Sequence, residues 1–298
     1  MLSLSPGDRV ALIAPAGQLR TVNRAWLAGA QSLLESWQLQ VEVRVETDNH
    51  FYLAGSDDRR ADHAAQALAD PALRAVFCTR GGYGSSRLWP ALRTVDVSAP
   101  KLLVGHSDIT SLHLMARACW PRVECLHGVN LATEQVLGEN DHAADNRDAL
   151  YAELFSPGNS PFDVQAIIHG TARGRLTGGC LSLITASLGT PYALECDGDL
   201  LFLEDTGEAP FRLDRALVQL RNAGLFDHVS GVVFGVMPNC TDPYNRFTDI
   251  AAELLAPFGI PVAIGLASGH GAINRPLRLG QLTELNTQQG WVQRRATD

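Results

Sequence analysis

KLLVGHSDITSLHL occupies residues 101–114 and passes from an apolar run through a Gly-His-Ser turn into a helical pattern. The apolar run at 101–106 is compact, as is typical of a strand that a parallel sheet buries on both faces. A strand that leads directly into a helix is the repeating unit of α/β domains. This stretch therefore predicts an α/β fold with a parallel sheet.

Three similar strand candidates precede this stretch, and helical patterns separate them. The strand candidates are RVALIA at 9–14, VEVRV at 41–45 and RAVFCT at 74–79. One helical stretch carries its apolar side chains on a single face: Trp26, Leu27, Ala30, Leu33, Leu34 and Trp37. A second helix is predicted to begin after the N-cap Ser56. The βαβα order predicts a parallel sheet with right-handed crossovers in an N-terminal domain at 1–135.

A second domain is expected because 298 residues exceed what one ordinary core requires. Residues 136–170 are polar and acidic and are predicted as a linker. Residues 171–298 are predicted as a C-terminal domain. Its strand candidates are 200–204, 231–237 and 261–267, and its helix candidates are 179–188, 213–223 and 246–256.

The composition argues against several classes of protein. It is 46% hydrophobic and 19% charged, which is globular rather than disordered. The net charge of −8 argues against a nucleic-acid partner, because phosphate binding requires a basic surface. No apolar run approaches the roughly 20 residues of a membrane helix, and the N-terminus lacks the pattern of a signal peptide. We therefore expect a cytoplasmic protein with no membrane and no nucleic-acid partner.

The six cysteines are scattered, without a C-x-x-C motif and without histidines at metal-ligand spacing. In a reducing compartment we expect them to be buried free thiols. The sequence also lacks an HExxH motif and an Asp-rich calcium loop. It therefore predicts no metal and no cofactor.

Ser107 stands at the strand-to-helix turn and is the candidate nucleophile. A sharp turn lifts its side chain out of the sheet, and the N–H groups that open a helix favour a developing oxyanion. The alternative is that Ser107 only caps the helix, with Asp108 favourable to the helix dipole. Because Asp108 and Ile109 follow Ser107, and Ile109 stands where the motif has its second glycine, the turn is not the G-x-S-x-G motif of α/β-hydrolases.

The loop RGGYG at 80–84 follows another strand and carries three glycines in four positions. Glycine permits close backbone approach and positive φ, which suits N–H groups arranged around an anion. The loop is neither G-x-G-x-x-G nor a P-loop, so nucleotide binding gains little support. A plain tight turn is the alternative, and Tyr83 can either contact a substrate or simply pack.

His270 lies in ASGHGAIN, where flanking glycines leave the imidazole uncrowded. This setting fits a general base, and a structural role is the alternative. His106, His113 and His127 are rivals for the same role. His127 ends a strand candidate and is the strongest of the three.

Glu204 closes the apolar strand LLFLE, where a carboxylate is costly unless it is paired. Loops that leave the carboxyl ends of parallel strands converge on ligand sites, so Glu204 joins the candidates. For Asp205 and Glu208, which follow, we prefer a salt bridge to Arg212 or Arg215.

RGGYG, GHSDIT, LHG, LTGG, LFLEDTGE-PFRLDR and GLASGHG-IN occur in this order along the chain. Together, and with their spacing, they resemble the L,D-carboxypeptidases of the serine peptidase S66 type. That family includes the murein tetrapeptide carboxypeptidases and the microcin self-immunity peptidases. The likeness runs from about Pro6 to about Glu284, which is nearly the whole chain.

The resemblance implies a Ser-Glu-His triad, in which Ser107 is the nucleophile, Glu204 the orienting acid and His270 the base. It also implies an oxyanion hole made by the Asp108 N–H and a glycine of the 81–82 pair, Gly81 or Gly82. The implied fold is a flavodoxin-like N-terminal domain with a smaller β-rich α/β C-terminal domain. Homodimers are common in the family, so a homodimer is expected.

The activity that the resemblance implies is removal of the terminal D-alanine from murein tetrapeptides in peptidoglycan recycling. Recognition of a free carboxylate suits the bidentate fork of arginine, and Arg80 and Arg275 are both candidates. One alternative is an immunity-type peptidase that cleaves an amide in a peptide–nucleotide antibiotic. An alternative of another class is a non-catalytic ligand-binding protein on the same scaffold.

Overall fold

The computed structural model describes residues 1–46 and 48–295. These residues form two compact units. The N-terminal unit is Met1–Pro157 with Arg275–Leu277, and the C-terminal unit is Gly158–Asn274 with the chain from Arg278 onward. Within the described residues, none of the helices has the length and apolar character that spanning a membrane requires.

Strands and helices alternate through most of the chain. The strands are β1 (Arg9–Ile13), β2 (Gln40–Arg44), β3 (Leu73–Cys78), β4 (Lys101–Gly105), β5 (Val123–His127), β6 (Phe162–Asp163), β7 (Gln165–Ile168), β8 (Thr171–Cys180), β9 (Asp199–Glu204), β10 (Val229–Gly235), β11 (Val262–Leu266), β12 (Leu277–Arg278), β13 (Leu282–Asn286) and β14 (Trp291–Arg294). The helices are α1 (Thr21–Ser36), α2 (Asp57–Ala69), α3 (Trp89–Leu92), α4 (Thr110–Cys119), α5 (Glu134–Leu137), α6 (Asp141–Phe155), α7 (Leu181–Ser187), α8 (Pro210–Asn222) and α9 (Phe247–Leu255).

The sheet of the N-terminal unit confirms the predicted parallel arrangement. Its strand order is β12-β5-β4-β3-β1-β2, and β2, β1, β3, β4 and β5 pair in parallel. This 2-1-3-4-5 order is that of flavodoxin-like folds, in which ligands bind beyond the carboxyl ends of the strands. All four predicted strands are present, and β1, β3 and β4 are buried along most of their length. The apolar runs in the sequence reflect that burial.

The prediction of a linker at 136–170 is wrong in its extent. Helix α6 occupies the middle of this range, and its Leu150 and Leu154 are buried in the main core of the N-terminal unit. The unit ends at Pro157, and β6 and β7 follow within the C-terminal unit. Most residues of α6 face water and are polar or acidic, so its narrow apolar stripe is hard to recognise in the sequence.

The C-terminal unit contains an eight-stranded sheet in the order β6-β14-β13-β8-β9-β10-β11-β7. The central strands β8, β9, β10 and β11 pair in parallel, and the flanking strands pair in antiparallel fashion. This mixed sheet confirms the prediction of a β-rich α/β domain. Strand β9 lies at the centre of the parallel block and is buried at every residue, which places its last residue, Glu204, in the interior.

Two helices differ from their predicted bounds for identifiable reasons. Helix α8 begins at Pro210 rather than at 213, because proline is well suited to the first helical position. Residues 179 and 180, predicted as helical, continue β8 beside β9. Glycines 178 and 179 both have positive φ there, which a helix does not accommodate.

Candidate active site

Ser107 lies immediately beyond β4 in a strained backbone conformation. Its φ is 64°, in the left-handed region that non-glycine residues seldom adopt. It opens a short 3-10 turn, Ser107–Ile109, which leads into α4. The residue in the N-cap position is His106, so Ser107 does not act as the helix cap. Strain of this kind persists only where surrounding contacts impose it, and it is concentrated at functional sites.

Two pairs of hydrogen bonds hold the backbone on either side of Ser107. On one side, the buried Asn130 side chain accepts from the His106 N–H at 3.3 Å and donates to the His106 carbonyl at 3.2 Å. On the other side, the Ser85 N–H donates to the Asp108 carboxylate at 2.8 Å, and the Ser85 hydroxyl donates to the Asp108 carbonyl at 2.6 Å. Because the residues before and after Ser107 are fixed in this way, its unusual φ is fixed as well.

The Gly81–Gly82 loop packs directly against this turn. A Cβ atom added to Gly81 would lie 2.7 Å from the Ser107 Cβ and 3.4 Å from the Asp108 nitrogen. Gly82 has a φ of 108°, and the Gly17 N–H donates to the Gly81 carbonyl at 3.1 Å. Glycine is therefore required at position 81 because a side chain would collide with Ser107, and it is favoured at position 82 because of the positive φ. The loop is more than a plain tight turn. The oxyanion-hole role of these groups remains a prediction.

The three rival histidines are all buried inside the N-terminal unit. The rings of His106 and His127 lie edge to face with centroids 6.0 Å apart, and the His106 Nδ1 is 3.2 Å from the Gly128 carbonyl oxygen. Burial lowers the pKa of His113 to about 3, so its imidazole is neutral at ordinary pH. These surroundings are typical of packed structural histidines.

Glu204 and His270 form a hydrogen-bonded pair in the C-terminal unit. The Glu204 Oε2 lies 2.6 Å from the His270 Nδ1 and also accepts from the His270 backbone N–H at 3.2 Å. Glu204 is inaccessible to solvent, whereas 18% of the His270 side chain is exposed. A carboxylate that engages Nδ1 fixes the tautomer and leaves the lone pair on Nε2, as a general base requires.

Two glycines allow the backbone to pass close to the Glu204 side chain. Gly269 has a φ of 112°, and any Cβ there would overlap the Glu204 carboxylate. A Cβ on Gly235 would lie 2.9 Å from the Glu204 Cβ. The buried Asn274 accepts from the Gly269 N–H at 3.1 Å, which fixes the loop that carries His270. Gly269, which directly precedes His270, therefore makes room for the acid.

Two opposing effects set the pKa of His270. Burial lowers it, but the hydrogen bond and negative charge of Glu204, with a further contribution from the charge of Asp205, outweigh burial. The pKa of His270 is therefore raised above its ordinary value. A base with a raised pKa accepts a proton more readily, provided that the pH keeps it neutral beforehand.

The two neighbouring acids have other partners. The Glu208 carboxylate lies 3.4 Å from Arg212 in an i,i+4 ion pair, as predicted. For Asp205 the predicted salt bridge is wrong, since its carboxylate accepts from the Ser182 and Thr206 backbone N–H groups, both at 2.9 Å. Ser182 lies in the first turn of α7, where free N–H groups favour an acid.

Among the substrate-binding candidates, the two arginines are half-buried and each donates a hydrogen bond to a backbone carbonyl. The Arg80 Nη1 donates to the Gln18 carbonyl at 2.7 Å, and the Arg275 Nη1 donates to the Asp145 carbonyl at 3.1 Å. Tyr83 is exposed, and its ring centroid is 5.8 Å from that of Tyr52. Their roles toward a substrate remain predictions.

Sequence reasoning missed the residues that support the site. Asn130 lies two residues beyond the LHG motif, and Ser85 directly follows the RGGYG loop. Asn274 is the last residue of the motif GLASGHG-IN, but the sequence alone assigned it no role. Small polar residues at the end of a motif, or just beyond it, are a usable signal, because strained turns require fixed partners. Across residues 1–46 and 48–295, no three His, Cys, Asp or Glu side chains group together as metal ligands would.

Solved structures share this fold over nearly the whole chain. The muramoyltetrapeptide carboxypeptidase of Oxalobacter formigenes superposes with a TM-score of 0.80 at 24% identity, covering 96% of this chain and 97% of that one. The microcin C7 self-immunity protein MccF, in complex with glutamyl sulfamoyl guanosine, superposes with a TM-score of 0.87 at 18% identity, covering 99% and 98%. At these identities the likeness establishes the fold.

Sequence relatives establish the family. A Streptomyces coelicolor protein named as a carboxypeptidase is 38% identical over 96% of this chain and 93% of its own length. The murein tetrapeptide carboxypeptidase of Pseudomonas aeruginosa is 30% identical over 93% of this chain and 92% of its own. Residues 10–128 match the LD-carboxypeptidase N-terminal domain, and residues 173–285 match the LD-carboxypeptidase C-terminal domain. The chain therefore belongs to the S66 family of LD-carboxypeptidases.

Proposed function

We propose that this protein is a serine-type LD-carboxypeptidase that removes the terminal D-alanine from murein tetrapeptides. Membership of the LD-carboxypeptidase family supports the reaction class, and the named activity of the Pseudomonas relative supports the substrate. The observation that carries the proposal is the 2.6 Å hydrogen bond between the buried Glu204 and His270. Such a pair prepares an imidazole to activate a serine.

In the proposed mechanism, Ser107 attacks the carbonyl carbon of the bond before the terminal D-alanine. The His270 Nε2 takes the hydroxyl proton as the Oγ–carbon bond forms, and Glu204 stabilises the imidazolium. The proton then passes to the departing amine as the carbon–nitrogen bond breaks, which releases D-alanine and leaves an acyl-enzyme. Water, deprotonated by His270, hydrolyses that ester and returns the proton to Ser107.

The oxyanion formed during attack requires hydrogen-bond donors that are in place beforehand. We assign this role to the Asp108 N–H with an N–H of the Gly81–Gly82 loop. The closeness of Gly81 to both Ser107 and the Asp108 nitrogen supports the assignment. Donors held rigidly at such a position contribute substantially to catalysis of acyl transfer.

The carboxylate of the terminal D-alanine needs a cationic partner, for which Arg80 and Arg275 are both proposed. Each guanidinium carries five N–H donors, and one nitrogen of each is used on a backbone carbonyl. That contact orients the guanidinium and makes a bidentate pair with a carboxylate less costly in entropy. Replacing each arginine by lysine, and comparing KM for a tetrapeptide with that for its C-terminal amide, decides between them.

We also propose a cytoplasmic homodimer that acts in peptidoglycan recycling. All six cysteines are free thiols, and four of them are buried: Cys78, Cys125, Cys180 and Cys240. Free buried thiols are common in reducing compartments. Light scattering coupled to gel filtration tests the dimer, because a mass near twice 32.1 kDa is expected.

The central experiment incubates the protein with L-Ala-γ-D-Glu-meso-diaminopimelate-D-Ala and with its all-L counterpart, followed by mass spectrometry. We expect loss of one alanine from the first peptide only. Ser107→Ala should lower the rate on the order of 10⁶-fold and abolish labelling by a fluorophosphonate probe. Near-wild-type hydrolysis by that variant would refute the mechanism. Cleavage of aspartyl sulfamoyl adenosine alone would indicate an immunity-type peptidase instead, and binding without any cleavage would indicate a non-catalytic protein.

A further inference from the structure

Three large aromatic side chains are exposed on two segments that meet through the rings of Tyr52 and Tyr83: the turn at 50–53 and the loop that contains Gly81 and Gly82. Phe51 is 78% exposed, Tyr52 is 55% exposed and Tyr83 is 48% exposed. The ring centroids of Tyr52 and Tyr83 are 5.8 Å apart, with the planes tilted by 54°. Isolated exposed apolar residues are ordinary, but a group of aromatic residues exposed together marks a binding surface. We call Phe51, Tyr52 and Tyr83 the aromatic platform.

The backbone holds the first two members of the platform in place at some cost. Phe51 has a φ of 54°, a conformation that a bulky residue adopts only under constraint. The constraint comes from two mutual backbone hydrogen bonds between His50 and Leu53, at 3.0 and 2.9 Å. A surface turn without a role has little reason to retain a strained aromatic residue exposed to water.

The same turn is fastened to the loop that contacts the nucleophile. The Gln18 N–H donates to the Tyr52 carbonyl at 2.8 Å, and the neighbouring Gly17 N–H donates to the Gly81 carbonyl at 3.1 Å. Gly81 in turn packs against Ser107. The platform and the nucleophile therefore belong to one hydrogen-bonded assembly within the N-terminal unit.

We propose that the aromatic platform binds the N-acetylmuramic acid ring of a muropeptide whose scissile bond lies at Ser107. This inference rests on the proposed function, because in murein the tetrapeptide is attached to that sugar through its N-terminal end. A pyranose stacks its C–H groups on an aromatic face, and tyrosine hydroxyls can hydrogen-bond its polar substituents. The platform would thus distinguish sugar-bearing peptides from free ones.

The dimensions agree with this placement. Only Gly82 lies between Gly81 and Tyr83, so the Cα atoms of those two residues are at most about 7 Å apart, and the Tyr52 ring lies beside the Tyr83 ring. Three peptide residues lie between the scissile bond and the sugar, and they span roughly 12 Å when extended, because the glutamate is linked through its γ-carboxyl group. A peptide held at Ser107 can therefore place its sugar over the two tyrosine rings.

The tilt of the rings favours a sugar over a flat base. Two planes inclined by 54° do not form a parallel-sided slot, which is what a nucleobase held between two rings requires. A chair-shaped pyranose has C–H groups on both of its faces and on its edge, so it can contact two inclined rings together. The test must therefore be able to detect binding of a nucleobase in place of the sugar.

The first test measures binding without hydrolysis. N-acetylmuramoyl-L-alanyl-D-isoglutamine has the sugar but lacks the scissile bond, so its affinity for the wild-type protein can be measured by calorimetry. We expect it to bind more tightly than the same dipeptide without the sugar. Tyr52→Ala and Tyr83→Ala should each weaken binding about two- to tenfold, whereas Tyr52→Phe and Tyr83→Phe, which keep the ring and lose only the hydroxyl, should weaken it less. Equal binding by wild type and alanine variants would overturn the inference, as would displacement of the ligand by adenosine monophosphate at lower concentration than by N-acetylmuramic acid.

The second test measures specificity. The ratio of kcat/KM for the muramoyl-tetrapeptide to that for the free tetrapeptide should exceed one in the wild type and fall toward one in Tyr52→Ala. An unchanged ratio contradicts the platform. If the wild type cleaves neither peptide yet binds the muramoyl dipeptide through its tyrosines, the proposed function fails and the platform stands. If it cleaves both equally, the function stands and the platform fails.

Discussion

Gly81 lies so close to Ser107 that a Cβ on the glycine would stand 2.8 Å from the serine Oγ. Two observations make this contact important. Ser107 has a positive φ, and the residues on both sides of it are held by paired hydrogen bonds. The turn has no freedom to move away from an added methyl group, so the space above Ser107 depends on glycine at position 81.

Replacing Gly81 with alanine should therefore disable the enzyme more than it destabilises the fold. The methyl group must displace Ser107, and misplacement of a reacting group by about 1 Å costs on the order of 10²-fold in kcat. We expect kcat to fall by at least that factor. Gly158→Ala is the matched control, because nothing lies within 4 Å of its added Cβ. Retention of more than half of the activity by Gly81→Ala would show that the contact is not catalytically important.

Asn130 is expected to act as a positioning residue for the nucleophile. Asn130→Ala leaves the buried His106 N–H and carbonyl without the partners it supplied, which should cost about 1–3 kcal/mol of folding stability. The relaxed turn should also lower kcat about ten- to a hundredfold with little change in KM. Asn130→Asp keeps the acceptor for the His106 N–H and loses the donor, so an intermediate rate is expected.

The matched control for that experiment is Asn146→Ala. Asn146 is also buried in the N-terminal unit, and its amide donates to the Gln135 carbonyl at 2.9 Å, but it lies on α6. It should lose comparable stability without slowing the reaction of Ser107 with a fluorophosphonate probe. If both variants slow probe labelling equally, the Asn130 effect is a general loss of packing.

The parts of the fold that the sequence predicted are those in which local pattern and tertiary environment agree. Strands β1, β3 and β4 are buried on both faces, so their continuous apolar runs were diagnostic. Glu204 was identifiable because a carboxylate at the end of a buried strand requires a partner. The abrupt change from strand to helix predicted the turn at Ser107, which the structure has between β4 and α4.

The features that the sequence did not predict depend on contacts between distant segments. Helix α6 buries only a thin stripe, so its acidic composition resembled a linker. Asn130 supports Ser107 from 23 positions away, a relationship that no local pattern encodes. Asp205 resembles a salt-bridge partner in the sequence, yet its carboxylate accepts from the Ser182 N–H at the start of α7 and from the Thr206 N–H instead.

Chelation should leave activity intact. In the proposed mechanism the His270 imidazole is engaged by Glu204 and the nucleophile is a serine, so no step calls for a metal-bound water. Exhaustive EDTA treatment followed by gel filtration should preserve at least about nine-tenths of kcat/KM on the tetrapeptide. Loss of activity that zinc or manganese restores would contradict a serine mechanism.

The three neighbouring acids should differ sharply when each is replaced by its amide. Glu204→Gln should lower kcat about 10⁴-fold, because the amide no longer stabilises the imidazolium or fixes its tautomer. Asp205→Asn loses one of two backbone hydrogen bonds, so we expect about 1–2 kcal/mol of destabilisation and a rate within tenfold of wild type. Glu208→Gln removes a surface ion pair worth about 0–1 kcal/mol. If Glu208→Gln is inactive while Glu204→Gln remains active, the acid that orients His270 is Glu208 in the loop and not Glu204.

The pH dependence of kcat/KM provides the strictest test of the pair, because its direction follows from the surroundings of His270. The base must be neutral to accept the Ser107 proton, so activity should fall as the pH drops through its pKa. Glu204 raises that pKa against the opposing effect of burial, which places the acidic limb above the ordinary histidine value of about 6.5. In Glu204→Gln the charge is gone and burial remains, so the limb should move to lower pH while the plateau falls.

Asp205→Asn should move the same limb slightly downward, since the charge of Asp205 also raises the pKa of His270. Rates alone can be misassigned, because burial also raises the pKa of Asp108 in the nucleophile turn. Titrating the His270 ring by NMR in a Ser107→Ala background measures the group directly. A limb that stays fixed in Glu204→Gln, with the His270 titration shifted downward, would show that Asp108 or another carboxyl governs the profile and that His270 is not the base.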